Sequence, residues 1–285
     1  DDLISNFVLT QRQCFNDVAA HACITRRALF RAHRQRKLRG ALMKPWWAQT
    51  RAEIEMTLRR SETLLLTIGI PVLLLVFFSI SKVTTSPTPH RVDFIAPGVL
   101  ALCIMSTSLV ALSISTGFER SYGVLRRLHV TPLGTRRLIG SKIASVLVTE
   151  VIQVVVLSLV ALLLKWHPRG GFSGALEVGA LMILGSGGFA GIGLLLAGRL
   201  KAEVNLAASN GLYLVLLLVS GIVVPIDSMP QFIQHIVIAT PSGALAEGLH
   251  RVLGLGLQPT VGDWVSVALW ALLAPLLAMR TFRFD

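Results

Sequence analysis

The stretch STGFERSYGVLRRLHVTPLGTRRLIGSKI, Ser115 to Ile143, decides how this chain is read. It carries six cations (Arg120, Arg126, Arg127, Arg136, Arg137 and Lys142) against a single acid, Glu119. LALCIMSTSLVALSIS runs into it and ASVLVTEVIQVVVLSLVALLL leaves it, two of the most apolar segments of the chain. Six basic residues between two such runs belong either to a nucleic-acid-binding face or to a loop at a membrane surface.

Composition separates the two. Of 285 residues, 53% are hydrophobic and only 15% charged, with a mean hydropathy of +0.67. A soluble domain of that length needs more charge to cover its surface. The net charge of +12 then reads as cytoplasmic loops, where Lys and Arg collect. No basic face survives outside these loops and the basic head, so nucleic acid is not an expected partner. Cys14, Cys23 and Cys103 make no disulfide framework. Cys14, His21, Cys23 and His33 match no standard zinc spacing.

A hydrocarbon core about 30 Å thick takes about 20 apolar residues in a helix. Six segments qualify: 63–80, 94–117, 143–164, 176–198, 204–224 and 263–279. Lys44, Arg51, Arg59 and Arg60, the six cations above, and Arg199, Lys201, Arg280 and Arg283 make fourteen on one side. Lys82, Arg91, Lys165, Arg169 and Arg251 make five on the other. The richer side is cytoplasmic, so both termini are expected inside, and the basic stretch is a cytosolic loop.

Residues 1–42 are polar and basic, with no evident secretory signal, and Met43 reads as a native start. This head is expected to be poorly ordered; the alternative is a basic helix on anionic lipid. Residues 43–62 are expected to hold an amphipathic helix along the membrane surface. Trp46 and Trp47 suit the interface, and Arg51, Glu55 and Arg59 share a face away from Ile54 and Leu58. It is either a plain anchor or a surface that also touches a cytosolic partner. Residues 63–285 form the spanning domain. Between its last two spans, MPQFIQHIVIAT and GALAEGLHRVLG read as two helices too short to cross, a pair dipping into the outer leaflet. The fourth span is rich in glycine, and Gly187 and Gly191 form a small-xxx-small pair for helix packing.

No phosphate-binding G-x-x-x-x-G-K-[ST] loop is present, and no nucleophile or acid–base pair stands out. Glu150, two turns into the third span beside Gln153, is an intramembrane carboxylate. It is either functional or, by the preferred reading, paired with Lys142 or a nearby arginine.

GFERSYGVLRRLHVTPLGTRRLIGSK resembles the cytosolic loop of type-2 ABC exporter permeases, the group that includes daunorubicin-resistance permeases and polysaccharide or lipid exporters. The usual form there is E-R/K-E-x-G-T-L-x-x-L-x-x-T-P, then a basic segment and G-x-K. The matching residues are Glu119, Arg120, Gly123, Leu125, Leu128, Thr131, Pro132, Gly140 and Lys142. Ser121 stands where a second acid is usual and Val124 where Thr is usual. SGIVVPIDSMPQFIQHIVIATPSGALAEGLHRVL resembles the external re-entrant segment of the same family through Gly221, Pro225, Met229, Pro230, Pro241 and Arg251. Thr240 replaces the common Asn, and the aromatic that usually follows is missing. The resemblance covers about residues 43–285.

It implies an all-α membrane protein of the bacterial plasma membrane. Its six transmembrane helices would be joined by an N-terminal amphipathic interface helix, a cytosolic coupling helix and a short external re-entrant helical pair before the last span. It also implies a dimer with a second permease copy or a homologous permease, seated on two separate ATPase subunits. ATP and Mg would be bound there and not by this chain. The loop helix, with Arg126 and Arg127 facing acids on the ATPase, would pass nucleotide-driven closure to the spans. Gly117 and Gly123 permit tight bends, Pro132 ends the helix, and Leu125 and Leu128 form an apolar ridge. The conduit would lie at the dimer interface. Ser106, Thr107, Ser108, Ser113 and Ser115 on the second span, with Asn205, Ser209, Asn210 and Tyr213 on the fifth, are the polar residues available. Such residues line a path or bond a neighbouring helix. Scarce intramembrane charge favours a hydrophobic drug-like, lipid or glycan cargo. Rival readings are an ion-coupled secondary transporter and a membrane scaffold or assembly factor.

Overall fold

The structure, a computed structural model, describes residues 47, 49–57, 59, 61–81, 91–125, 134–222 and 231–282. Residues 1–42, with the basic head, lie outside them. No strand occurs among the described residues. Hydrocarbon cannot satisfy backbone N–H and C=O groups, so a chain this apolar folds into helices that satisfy their own.

Helix α1 covers 49–57. Helix α2 is Ser61–Ile80. Helix α3, Arg91–Met105, passes through a π-helical turn, Ser106–Ala111, into α4, Leu112–Ser121. Helix α5 is Gly134–Leu163, α6 Gly171–Ala197 and α7 Ala202–Val219. Helices α8, Gln231–Ala239, and α9, Pro241–Leu249, form the short pair, and a second π turn, His250–Leu255, extends α9. Helix α10 is Val261–Thr281.

Among the described residues, five helices are long and apolar enough to cross a membrane: Arg91–Ser121, Arg137–Leu163, Gly171–Ala197, Ala202–Val219 and Val261–Thr281. The first of the six expected spans falls on α2, whose apolar stretch Thr67–Ile80 is shorter. The chain is therefore a multi-pass membrane protein, helical throughout its described spans. The second span is a 31-residue rod, about 45 Å long at 1.5 Å per residue and well over the hydrocarbon thickness. The third starts at Gly134, not at 143. Arg137 and Lys142 are thus helical residues, as is Arg120 in α4, and not loop residues. Basic side chains are good helix formers, and nothing stops the helix at the membrane surface.

Helix α6 is the hub. Its glycines mark where other backbones come closest. A Cβ on Gly191 would sit 2.4 Å from the Pro275 nitrogen and 2.5 Å from the Ala274 carbonyl carbon of α10. One on Gly193 would meet the Leu109 carbonyl of the π turn at 2.7 Å. The small-residue packing expected at Gly187 and Gly191 is realised against α10, where Gly187 faces Ala271. Helix α10 starts on a capping box: Thr260 Oγ1 accepts from the Asp263 amide at 3.2 Å, and Asp263 Oδ2 accepts from the Thr260 amide at 2.8 Å.

The core runs from α3 through α6 to α9, with Ile104, Met105, Leu109, Leu181, Phe189 and Leu249 almost fully buried. Outward, α7 exposes Val204, Leu214, Val215 and Leu218, and α5 exposes Val151, Val155 and Leu159. Such apolar faces belong in lipid or against another apolar chain. His250, outside the five spans, stacks on Phe94 with ring centroids 4.7 Å apart. Its Nε2 is buried without a hydrogen-bond partner. Burial pushes this imidazole down to about 4.

Gly191→Ala is expected to destabilise the detergent-solubilised protein by about 1–3 kcal/mol, because backbone and not a flexible side chain must yield. Gly179→Ala, with nothing within 4 Å, should be neutral or slightly stabilising; thermal unfolding of the two variants checks the contrast. The unfolded His250 imidazole titrates near 6.5 and the folded one near 4. Its contribution to stability is therefore full above about 6.5 and lost as the pH falls towards 4. The wild-type thermal midpoint should drop across that window more steeply than that of His250→Phe.

Candidate coupling site

The expected loop begins where α4 ends. Tyr122 N donates to Phe118 O at 2.9 Å, and Gly123 N to Arg120 O at 3.0 Å, closing the helix. Gly123 takes φ +71°, a left-handed conformation that suits glycine. Tyr122 is 74% exposed, Val124 41% and Leu125 0%. The apolar pair offered outward is therefore Tyr122 with Val124. Leu125, expected on an outward ridge, is turned inside. Arg126, Arg127, Leu128, Thr131 and Pro132 lie outside the described residues.

Three described charges of this region, Lys142, Glu119 and Arg120, are answered within the chain. Lys142 Nζ, on α5, donates to Glu119 Oε2 at 2.6 Å and to Glu53 Oε1 at 3.1 Å. The lysine is 1% exposed. Gln49 Nε2 donates to the same Glu53 oxygen at 3.0 Å. Arg120 Nη1 donates to the Ala197 carbonyl at 2.7 Å, at the C-terminal end of α6, where unpaired carbonyls attract a cation. Glu119 and Arg120, read from the sequence as contacts for another protein, are thus engaged intramolecularly. Gly117, read as a bend, sits inside α4. A Cβ there would lie 2.6 Å from Asn205 Nδ2, so close approach is what requires glycine.

A cleft of about 100 Å³ opens between α1, α2, the π turn with α4, and α5. Glu53, Thr57, Thr107, Ser115, Glu119 and Thr149 are among its walls. Lys142 is not, so the cleft meets carboxylates and hydroxyls and not the ammonium between them.

Beyond the cleft lies a second polar joint. Glu150, 0% exposed, accepts hydrogen bonds from Ser108 of the π turn and Ser186 of α6. Gln153 Oε1 accepts from Thr107 Oγ1 at 3.0 Å, and Gln153 Nε2 donates to Thr67 O at 3.0 Å. The expected pairing of Glu150 with Lys142 or an arginine does not form. Lys142, two turns nearer the start of α5, is already held by two carboxylates, and serines reach Glu150 instead. Sequence spacing could not reveal Ser186 as a partner, because the contact joins two different helices across 36 residues of chain.

The residues considered for a conduit divide. Ser113 Oγ donates to Asn205 Oδ1 at 2.9 Å, Asn205 Nδ2 to Ser113 O at 2.8 Å, and Ser209 Oγ to Ser113 Oγ at 2.8 Å. All three are 0% exposed, and they bind α4 to α7. Thr107 is likewise occupied by Gln153. Ser106 returns its hydroxyl to Cys103 O at 3.0 Å, and Tyr213 packs at the edge of the core. Asn210 is exposed, its amide bonded to Leu206 O at 2.9 Å.

In the short helical pair, Pro241 begins α9 and Thr240 caps it, accepting from the Gly243 amide at 3.2 Å. Threonine and asparagine both cap helices, so the exchange at 240 is chemically conservative. Arg251 Nε donates to Gln258 O at 3.1 Å, and its guanidinium approaches Glu247 at 3.8 Å. Pro225, Met229 and Pro230 lie outside the described residues.

Residues 45–252, well over half of the chain, match the family model described as ABC-2 type transporter. The chain is 25% identical over 215 residues to the putative transport permease YvfS of Bacillus subtilis, covering 74% of this chain and 86% of that protein. It is 27% identical over 207 residues to the daunorubicin resistance ABC transporter permease protein DrrB1 of Streptomyces coeruleorubidus, covering 69% and 70%. It is 24% identical over 184 residues to the probable multidrug ABC transporter permease YbhR of Escherichia coli, covering 63% of this chain and 48% of that one. With the matched region running from the segment before α1 through α9, the chain belongs to the ABC-2 type transporter family of membrane permeases.

Proposed function

We propose that this permease is the transmembrane subunit of an ATP-driven exporter, and that a separate ATPase subunit drives it through the segment Glu119–Pro132. The observation that carries this reading is the long rod Arg91–Ser121 ending in a knuckle whose Tyr122 and Val124 are exposed. A helix longer than the hydrocarbon delivers its end into water. Force applied at that end acts on one hydrogen-bonded body reaching back across the membrane. Tyr122 and Val124 then enter a groove of the ATPase, and the basic residues Arg126 and Arg127 face its acids.

On this reading α2 and the five long helices make six spans, with α1 at the cytoplasmic interface and α8–α9 re-entrant from outside. Both termini lie in the cytoplasm of a bacterial cell, as the excess of Lys and Arg on one side supports. The division into a head (1–42), an interface helix (43–62) and a spanning domain (63–285) follows from it. Two ATPase subunits hold ATP and Mg, and a second permease copy completes the assembly. Helix α7 is the least covered of the long helices within one chain. That face, with Asn210, supports a partner copy there and a path beside it. A hydrophobic drug-like molecule, a lipid or a glycan is the cargo that scarce intramembrane charge favours. Two relatives named for drug resistance or multidrug transport support the first of these. Ion coupling would want charged residues at mid-membrane, and Glu150 lies off-centre in the apolar stretch 143–164.

The test is co-purification from membranes with the ATPase subunit co-expressed. Tyr122→Ala with Val124→Asp should leave thermal stability unchanged, both side chains being exposed. It should weaken retention of the ATPase at least about tenfold, as loss of an interface anchor implies. Undiminished retention would sink the proposal.

A further inference from the structure

We infer that Lys142 is a positioning residue for energy coupling: it fastens the interface helix α1 to the knuckle after α4, so that the two move as one body. The inference rests on the proposed function and adds a second moving element to it.

Three elements meet at one nitrogen. Lys142 comes from α5, Glu53 from α1 and Glu119 from α4, at 3.1 and 2.6 Å from Nζ. Burying an unpaired ammonium is costly, so its two carboxylates are held as firmly as it holds them. Glu53 is itself oriented by Gln49 one turn earlier. Helix α1 is turned for this purpose. Glu53 is 7% exposed, while the Arg51–Glu55 pair on the same helix faces outward, with side-chain exposures of 82% and 47%. A plain membrane anchor requires no buried acid on its inner face. A brace between α1 and α5 requires no second carboxylate. The second one belongs to Glu119, three residues before the exposed Tyr122, so displacement of the knuckle reaches Glu53 through one shared cation.

Charge counting selects the variant that tests this. Two carboxylates and one ammonium leave a net charge of −1. Removing the lysine strands the buried Glu53 and the part-buried Glu119 and threatens the fold. Removing Glu53 leaves a balanced Lys142–Glu119 pair and frees only α1. Glu53 and Glu119 also line the cleft beside α1, so a rigid joint keeps those two walls together through the cycle.

Spin labels on exposed Arg51→Cys and Ser121→Cys, with Cys14, Cys23 and Cys103 replaced, report the α1–knuckle distance. The measurement is made in vesicles on the complex with its ATPase subunit. The wild-type distribution should stay narrow and unmoved between nucleotide-free and vanadate-trapped states. With Glu53→Ala it should broaden at least twofold, chiefly in the trapped state, while thermal stability holds. Exchanging the charges, Glu53→Lys with Lys142→Glu, should restore the narrow distribution. An ATPase-active wild-type complex with a broad or shifting distribution overturns the joint alone. So does a Glu53→Ala distribution as narrow as the wild type in both states. A purified permease that brings down no ATPase overturns the functional reading, and this inference with it.

Discussion

Hydrocarbon offers no hydrogen bonds, and that constraint orders this permease more than any single contact. A polar side chain in a spanning helix must find a partner, in its own helix backbone or on another helix, or be left unpaired at a cost of about a kcal/mol or more. Glu150 is answered by Ser108 and Ser186, Gln153 by Thr107, and Ser113 by Asn205 and Ser209. Each set joins different helices through residues at least 36 positions apart in sequence. Apolar contact with lipid tails and with other helices is nearly equivalent in free energy, so these polar joints and the close glycine contacts select which helices become neighbours.

The same logic governs the membrane surface. Lys142 is buried where water is scarce, so it collects two acids from two different elements. Arg120 finds the unpaired carbonyls at the end of α6. Charges that in a soluble loop would point into water are instead structural ties, and the outward-facing surface passes to Tyr122 and Val124.

Helical class, the long spans and the short pair before the last helix were legible, because runs of apolar residues and proline or threonine boundaries are local signals. The start of α5 was not. Basic residues mark a topology, and a helix continues through them as readily as a loop does. Residue types at the site were visible in the motif from Glu119 to Lys142, yet their directions were not. Whether Leu125 or Val124 faces outward depends on the left-handed turn at Gly123, and whether Glu119 is free depends on Lys142, 23 positions on, which it shares with Glu53 of another helix. Gly117 was noticed for the wrong reason, since its neighbour Asn205 lies on a helix the local sequence does not name.

The π turn at Ser106–Ala111 carries a further geometrical consequence. One surplus residue in an otherwise regular helix shifts its angular phase by about 100°. The two ends of the 91–121 rod share α6 but otherwise keep different company: α3 lies against α2, α5 and α9, and α4 against α7. A substituted position cannot be assigned a facing direction by counting turns from the far end of the same helix. A one-residue deletion inside the turn would re-aim half of the rod while leaving its composition almost untouched.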